Sequence, residues 1–127
     1  MPRIQDELEQ FLGWMAHEMG HATFKSRESL HFTSVGWQAL GLAAYDLYVT
    51  LRDVATGERE RAVRQIAKLD WRRSDDNEEM IKIGVLSRVG KKVGLSGRGA
   101  AAVGALHDFI LHNTDLGKLV RREPVAA

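Results

Sequence analysis

The chain has no cysteine, only two prolines and no long hydrophobic run, and each shortage excludes something. Without cysteine no disulfide braces the fold, and no thiolate serves as metal ligand or nucleophile. Both prolines, Pro2 and Pro124, stand near the ends. Nothing between them is barred from helix by a pyrrolidine ring or a missing N–H. No apolar run reaches about 18 residues and no signal-peptide core is visible, which predicts a cytoplasmic protein that does not span a membrane.

What is present fits one soluble helical domain, residues 1–127, with a disordered tail expected from about 121. Hydrophobic residues make up 44% of the 127 and charged residues 28%, an ordinary globular balance. A chain of this length buries roughly two-thirds of its unfolded surface. The net charge of +1 hides an asymmetry. Residues 1–70 hold 8 basic against 10 acidic side chains, and residues 71–127 hold 10 against 7. Between Met80 and His107 there are five basic residues and no acidic one. Such a stretch either meets phosphates or forms a solvated basic face.

Hydrophobic spacing predicts a mainly α fold of about four helices, with a short irregular or β-like basic segment before the last. Ile4, Leu8, Phe11, Leu12, Met15 and Met19 form one stripe of a helix over about 4–23. Thr33 or Ser34 caps a second helix, with Trp37, Leu40, Ala44, Leu47, Tyr48 and Leu51 inward and Gly57 as its left-handed stop. A third, over 58–69, buries Ala62, Ile66 and Leu69. The Gly-punctuated stretch 81–95 reads as loop or short β pieces, with Asp75 or Asp76 capping a turn before it. Ser96 caps a last helix over about 98–112, with Val103, Leu106, Ile110 and Leu111 inward.

One motif carries chemistry outright. His17-Glu18-Met19-Gly20-His21 spells H-E-x-x-H, in which two histidines one helical turn apart hold zinc and the glutamate is the general base. The extended pattern, with a glycine three residues and a histidine six residues after His21, fails at Phe24 and Arg27. Asp46 is an unsupported candidate for a third ligand. On the helical wheel His17 and His21 lie opposite the Leu8–Met15–Met19 stripe and read as ordinary surface residues. No cofactor is therefore expected, and a zinc metallopeptidase using His17, His21 and Glu18 is the alternative.

Among the other constellations, Trp71 reads as a loop anchor in the core. Arg72 and Arg73 either contact phosphate or pair with Asp75 and Asp76. The glycines of 94–104 lack the Gly-Lys-Ser/Thr ending of a nucleotide-binding loop. His107 and His112, five apart, read as surface.

The stretch 66–106 resembles the C-terminal helical region of DGQHR-domain, DndB-like proteins, which are associated with bacterial DNA phosphorothioate modification. The resemblance rests on Asp70-Trp71-Arg72-Arg73-Ser74, Leu86-Ser87-Arg88 and Val93-Gly94-Leu95-Ser96. Upstream, residues 30–47 look like the helix that precedes this block, so the likeness covers about 30–112. The Asp-Gly-Gln-His-Arg signature itself is missing. What the resemblance implies is a setting: a non-catalytic accessory or regulatory module of a DNA-modification or defence system. Its expected partner is another protein, such as a DGQHR-domain protein. DNA is a weaker second partner, met by Arg72, Arg73, Arg88, Lys91, Lys92 and Arg98. The oligomeric state is left open.

Overall fold

Glycine at position 20 decides how the chain starts to fold. It takes φ 85°, a backbone conformation that glycine reaches without a Cβ penalty. The first helix, α1 (Pro2–Met19), therefore stops there, and a single turn α2 (His21–Phe24) follows. The computed structural model describes residues 2–26, 29–51, 53–90, 92–96 and 99–122. After a 3-10 turn (Leu30–Phe32) come α3 (Ser34–Tyr45), a π-helical turn (Asp46–Thr50), α4 (Thr56–Ala67) and α5 (Glu78–Lys82). A hairpin of β1 (Leu86–Val89) and β2 (Lys92–Leu95) leads to α6 (Ala100–Asn113) and α7 (Asp115–Arg122). The described residues thus hold seven α-helices and one two-stranded sheet, mainly α as expected but with more helices than four.

The extra helices have local causes. Gly20 divides the first predicted helix. The loop 71–77 gives way to α5, whose N-cap position is Asn77 rather than Asp75 or Asp76. Near the end, the Thr114 hydroxyl donates to the Ile110 carbonyl (2.8 Å) and accepts from the Leu116 N–H (3.3 Å), closing α6 and opening α7. Gln65 clamps that start to α4: its amide donates to the Asp115 carboxylate (3.0 Å) and its oxygen accepts from the Asp115 N–H (2.6 Å). The tail expected from about 121 lies, beyond residue 122, outside the described residues. Gly57 is not a left-handed stop but sits in the first turn of α4. Nor is Ser96 the cap of α6: Gly99, at φ 55°, precedes Ala100.

The Thr33 cap is present, its hydroxyl accepting from the Gly36 N–H at 3.1 Å. The basic stretch forms the expected short β pieces, Leu86 opposite Leu95 and Val89 opposite Lys92, turning at Gly90 with φ 64°. Packing joins α1 to α4, α3 to α6, and α7 to α4 and α6 around one buried cluster. Phe11, Met15, Leu30, Leu47, Leu51, Ile66, Met80, Leu86, Leu106, Ile110 and Leu116 are all but fully buried in it. Trp71 is buried too, and its indole N–H donates to the Ile66 carbonyl (2.8 Å), satisfying an end group of α4. Asn77 cannot cap α5 with its side chain, because the amide donates to the carbonyls of Asp70 (3.1 Å) and Arg72 (2.7 Å). The loop around Trp71 is thereby fixed.

Two predicted core positions face water instead. Leu8 is 51% exposed and Trp37 47%. The reason lies in α3, which carries no charged residue from Ser34 to Tyr45 and so has no polar face to mark its outside. The core takes its small side, Ala39, Leu40 and Ala43, followed by Leu47. The bulky aromatics are left out.

Candidate interaction surfaces

The H-E-x-x-H residues do not share the one helical turn that gives the motif its meaning. His17 and Glu18 end α1, while His21 begins α2 on the far side of the Gly20 bend. Arg64 of α4 donates from Nη1 to His17 Nδ1 at 3.1 Å. A guanidinium can only donate, so Nδ1 is the acceptor in this contact. Glu18 lies 3.3 Å from Arg64 and 3.9 Å from Lys68, a carboxylate between two cations. Asp46 is elsewhere, its Oδ2 at 2.7 Å from His107 Nε2, joining the π turn to α6. His107 is thus a half-buried interhelical partner rather than a surface residue. Among the described residues, no three His, Asp or Glu side chains gather as a metal site would need.

The predicted phosphate-binding cations are divided. Arg72 grips Asp70 with two parallel bonds, Nε to Oδ1 at 2.9 Å and Nη2 to Oδ2 at 2.8 Å, and reaches Asp76 at 3.3 Å. Hydrogen bonding by Arg72 holds the Asp70 carboxyl below its ordinary range. Asp76 is lowered as well, first by the Ser74 hydroxyl (2.6 Å) and then by Arg72. Arg88 donates to Glu78 (3.0 Å) and to the Asp75 carbonyl (2.9 Å). Arg73 is exposed beside them. Lys91 and Arg98 lie outside the described residues, as does the side chain of Lys92. Arg72, Arg73 and Arg88 are therefore brought together around the 70–78 segment, two of them already matched by carboxylates.

That pairing yields a prediction about salt. An arginine on a DNA phosphate adds about 0.9 to the steepness of log K against log [salt]. Arg72 releases no counterion if Asp70 and Asp76 already balance it. In fluorescence-anisotropy titrations with duplex DNA, Arg72→Ala should leave the slope unchanged, whereas a slope flattened by about 0.9 would place Arg72 on phosphate.

The surface that sequence reasoning missed is apolar. Leu8, Phe32, Trp37, Leu42, Tyr45 and Val49 are each 41–58% exposed. Phe32 and Trp37 stack with ring centres 6.2 Å apart. Trp37 leads at four-residue steps through Gly41 to Tyr45, and Leu42, Tyr45 and Val49 follow at three and four, which makes one stripe along α3 and the π turn. Between this stripe and α1 runs a groove of about 190 Å³, lined by Leu8, Phe11, Leu12, Trp37, Leu40 and Ala44, with Gly41 at its edge. A helix apolar all round is normally buried all round. The absence of charge over residues 34–45 was the available signal.

Comparison of the chain with protein-family models, with curated proteins and with solved structures returns no match. Among the described residues no helix is long and apolar enough to cross a membrane.

Proposed function

We propose that this chain is a non-catalytic cytoplasmic binding module that works through protein contact, with the exposed apolar face of α1 and α3 as its docking surface. The observation that carries this reading is that face: six large apolar side chains standing in water along one charge-free helix and its neighbours. Contiguous patches of this kind, larger than scattered single residues, mark interaction sites. The DNA-modification setting comes from the resemblance at residues 30–112, which also makes a DGQHR-domain protein the first heterologous partner to try. The carboxylate pairing of Arg72 and Arg88 favours protein over DNA as the principal contact.

Complementation tests the reading. In a host carrying a phosphorothioate-modification system, deletion of the gene should change the modification content of DNA measured by mass spectrometry. The intact chain should restore it and a Trp37→Glu variant should not, at equal soluble level. Unchanged modification on deletion removes the setting, and full rescue by Trp37→Glu removes the docking face.

A further inference from the structure

We infer that the α3 face is filled by a second copy of this chain, the two α3 helices crossing antiparallel about a two-fold axis at Gly41. The inference rests on reading that face as a docking surface and adds its occupant.

Three observations point to self-association. The first is the amount of surface. With about 150–250 Å² for each aromatic side chain, the exposed fractions of Phe32, Trp37, Tyr45, Leu8, Leu42 and Val49 amount to on the order of 500 Å² of apolar area. A stable interface buries about 800 Å² per partner, of which this patch supplies more than half as apolar area.

The second is charge. No charged side chain occurs from Ser34 to Tyr45, and the next residue, Asp46, is bonded to His107 on α6. Two α3 helices therefore cross without like-charge repulsion between them.

The third is shape. A two-fold contact must be self-complementary: what projects from one copy has to fit a recess on the other. Tyr45, 58% exposed, projects one turn after Gly41. Trp37, which borders the groove between α1 and α3, stands one turn before it. An axis at Gly41 therefore sets Tyr45 of each copy beside Trp37 and over the groove of the other. An apolar cavity of about 150 Å³ takes up benzene, so a groove of about 190 Å³ holds a tyrosine ring. Nothing lies within 4 Å of where a Cβ on Gly41 would be, so the helix presents a low point there for close approach.

The absence of native cysteine gives a direct test. Helices in contact stand about 8–10 Å apart axis to axis, which brings facing Cα atoms into disulfide range. In the full chain under mild oxidation, Gly41→Cys should form a disulfide dimer at least about tenfold faster than Lys118→Cys, an exposed control on α7. Sedimentation velocity from micromolar to several hundred micromolar should show wild type passing from monomer to dimer. Gly41→Glu and Tyr45→Lys should each weaken that association by about tenfold or more, as a charge in the centre of an apolar interface does. Tyr45 is not part of the core cluster, and a Cβ added at Gly41 meets no atom within 4 Å, so neither variant should unfold more easily than wild type at low concentration. A chain that stays monomeric throughout, equal cross-linking at 41 and 118, or a dimer indifferent to both variants overturns the inference. A monomer whose Trp37→Glu form still fails in complementation leaves the docking reading standing with a different protein as occupant. A dimer of the predicted kind with full rescue by Trp37→Glu does the reverse.

Discussion

Gly36→Ala should cost about 3 kcal/mol or more and leave little folded protein at 37 °C. Position 36 lies in the first turn of α3, where the chain has just doubled back through the 3-10 turn. A Cβ there would collide with the Leu30 carbonyl oxygen, and it would stand 2.8 Å from the Leu30 carbonyl carbon and 2.9 Å from His31 Cα. All three are backbone atoms, so no side-chain rotation relieves the clash. Either the cap opens or the 3-10 turn backs away. Opening the cap breaks the Gly36 N–H to Thr33 hydroxyl bond. Retreat of the turn breaks the Leu30 N–H to Trp71 carbonyl bond of 2.7 Å and draws the fully buried Leu30 toward water. Losing one hydrogen bond costs about 1 kcal/mol. Losing much of a leucine's burial costs about 2–3 kcal/mol. The better helix propensity of alanine offsets at most about 1 kcal/mol of this. Gly41→Ala in the same helix meets no atom and should instead gain up to about 1 kcal/mol in urea unfolding at low concentration. A loss below about 1 kcal/mol for Gly36→Ala would mean that the turn gives way freely.

The contrast between those two glycines shows where the sequence was legible and where it was not. Helical spacing located the backbone of the fold because α1 and α4 have charged faces that mark the outside, so Phe11, Met15, Ala62 and Ile66 fall inward as expected. In α3 the same rule misplaced Trp37, since a charge-free helix offers two apolar sides and only its neighbour decides between them. The neighbour α6 approaches the side of Ala39 and Ala43. Gly36 and Gly41 are indistinguishable as letters; one sits against the carbonyl of Leu30, six positions earlier in the chain, and the other faces open space.

The candidate site divides in the same way. The H-E-x-x-H spacing was readable, but its meaning depends on a continuous helix, and a glycine at position 20 gave no sign that it would take a positive φ. Arg72 and Arg88 were visible as cations, whereas the geometry that matches them to Asp70, Asp76 and Glu78 depends on how the Trp71 loop and the hairpin fold against each other. The exposed apolar face was legible in principle from the charge-free run 34–45. Helical spacing alone assigns it to the core, because burial is the commoner fate of such a helix.

Acid should loosen the joint that sets α3 in place, through His31. This imidazole is fully buried. Its Nε2 is 2.7 Å from the Phe24 carbonyl, which can only accept, so Nε2 carries the hydrogen. Nδ1 is left as a buried acceptor with no hydrogen-bond partner. The ring stacks on Phe24 (5.6 Å) and meets Phe32 and Trp71 edge-on (6.4 and 6.2 Å). Burial lowers its pKa below 6.5, and the Phe24 bond recovers only part of the shift. The unfolded chain therefore takes up a proton near pH 6.5 that the folded chain resists. The stability that neutral His31 contributes is complete above about pH 6.5 and declines as pH falls from there through the lowered folded value. The steepest decline is about 1.4 kcal/mol per pH unit, and below the folded value the loss levels off. Asp70 and Asp76 act in a separate window. Their folded values lie below 3.8, so the stability they add is lost only under more acid conditions. Urea unfolding of wild type between pH 7.5 and 5 should show the decline. His31→Gln, whose amide can still reach the Phe24 carbonyl but does not titrate, should unfold more easily at pH 7.5 by roughly 2 kcal/mol. Its stability should fall less steeply with acid by up to one proton's worth. Parallel pH profiles for the two proteins would show that His31 takes its proton without resistance.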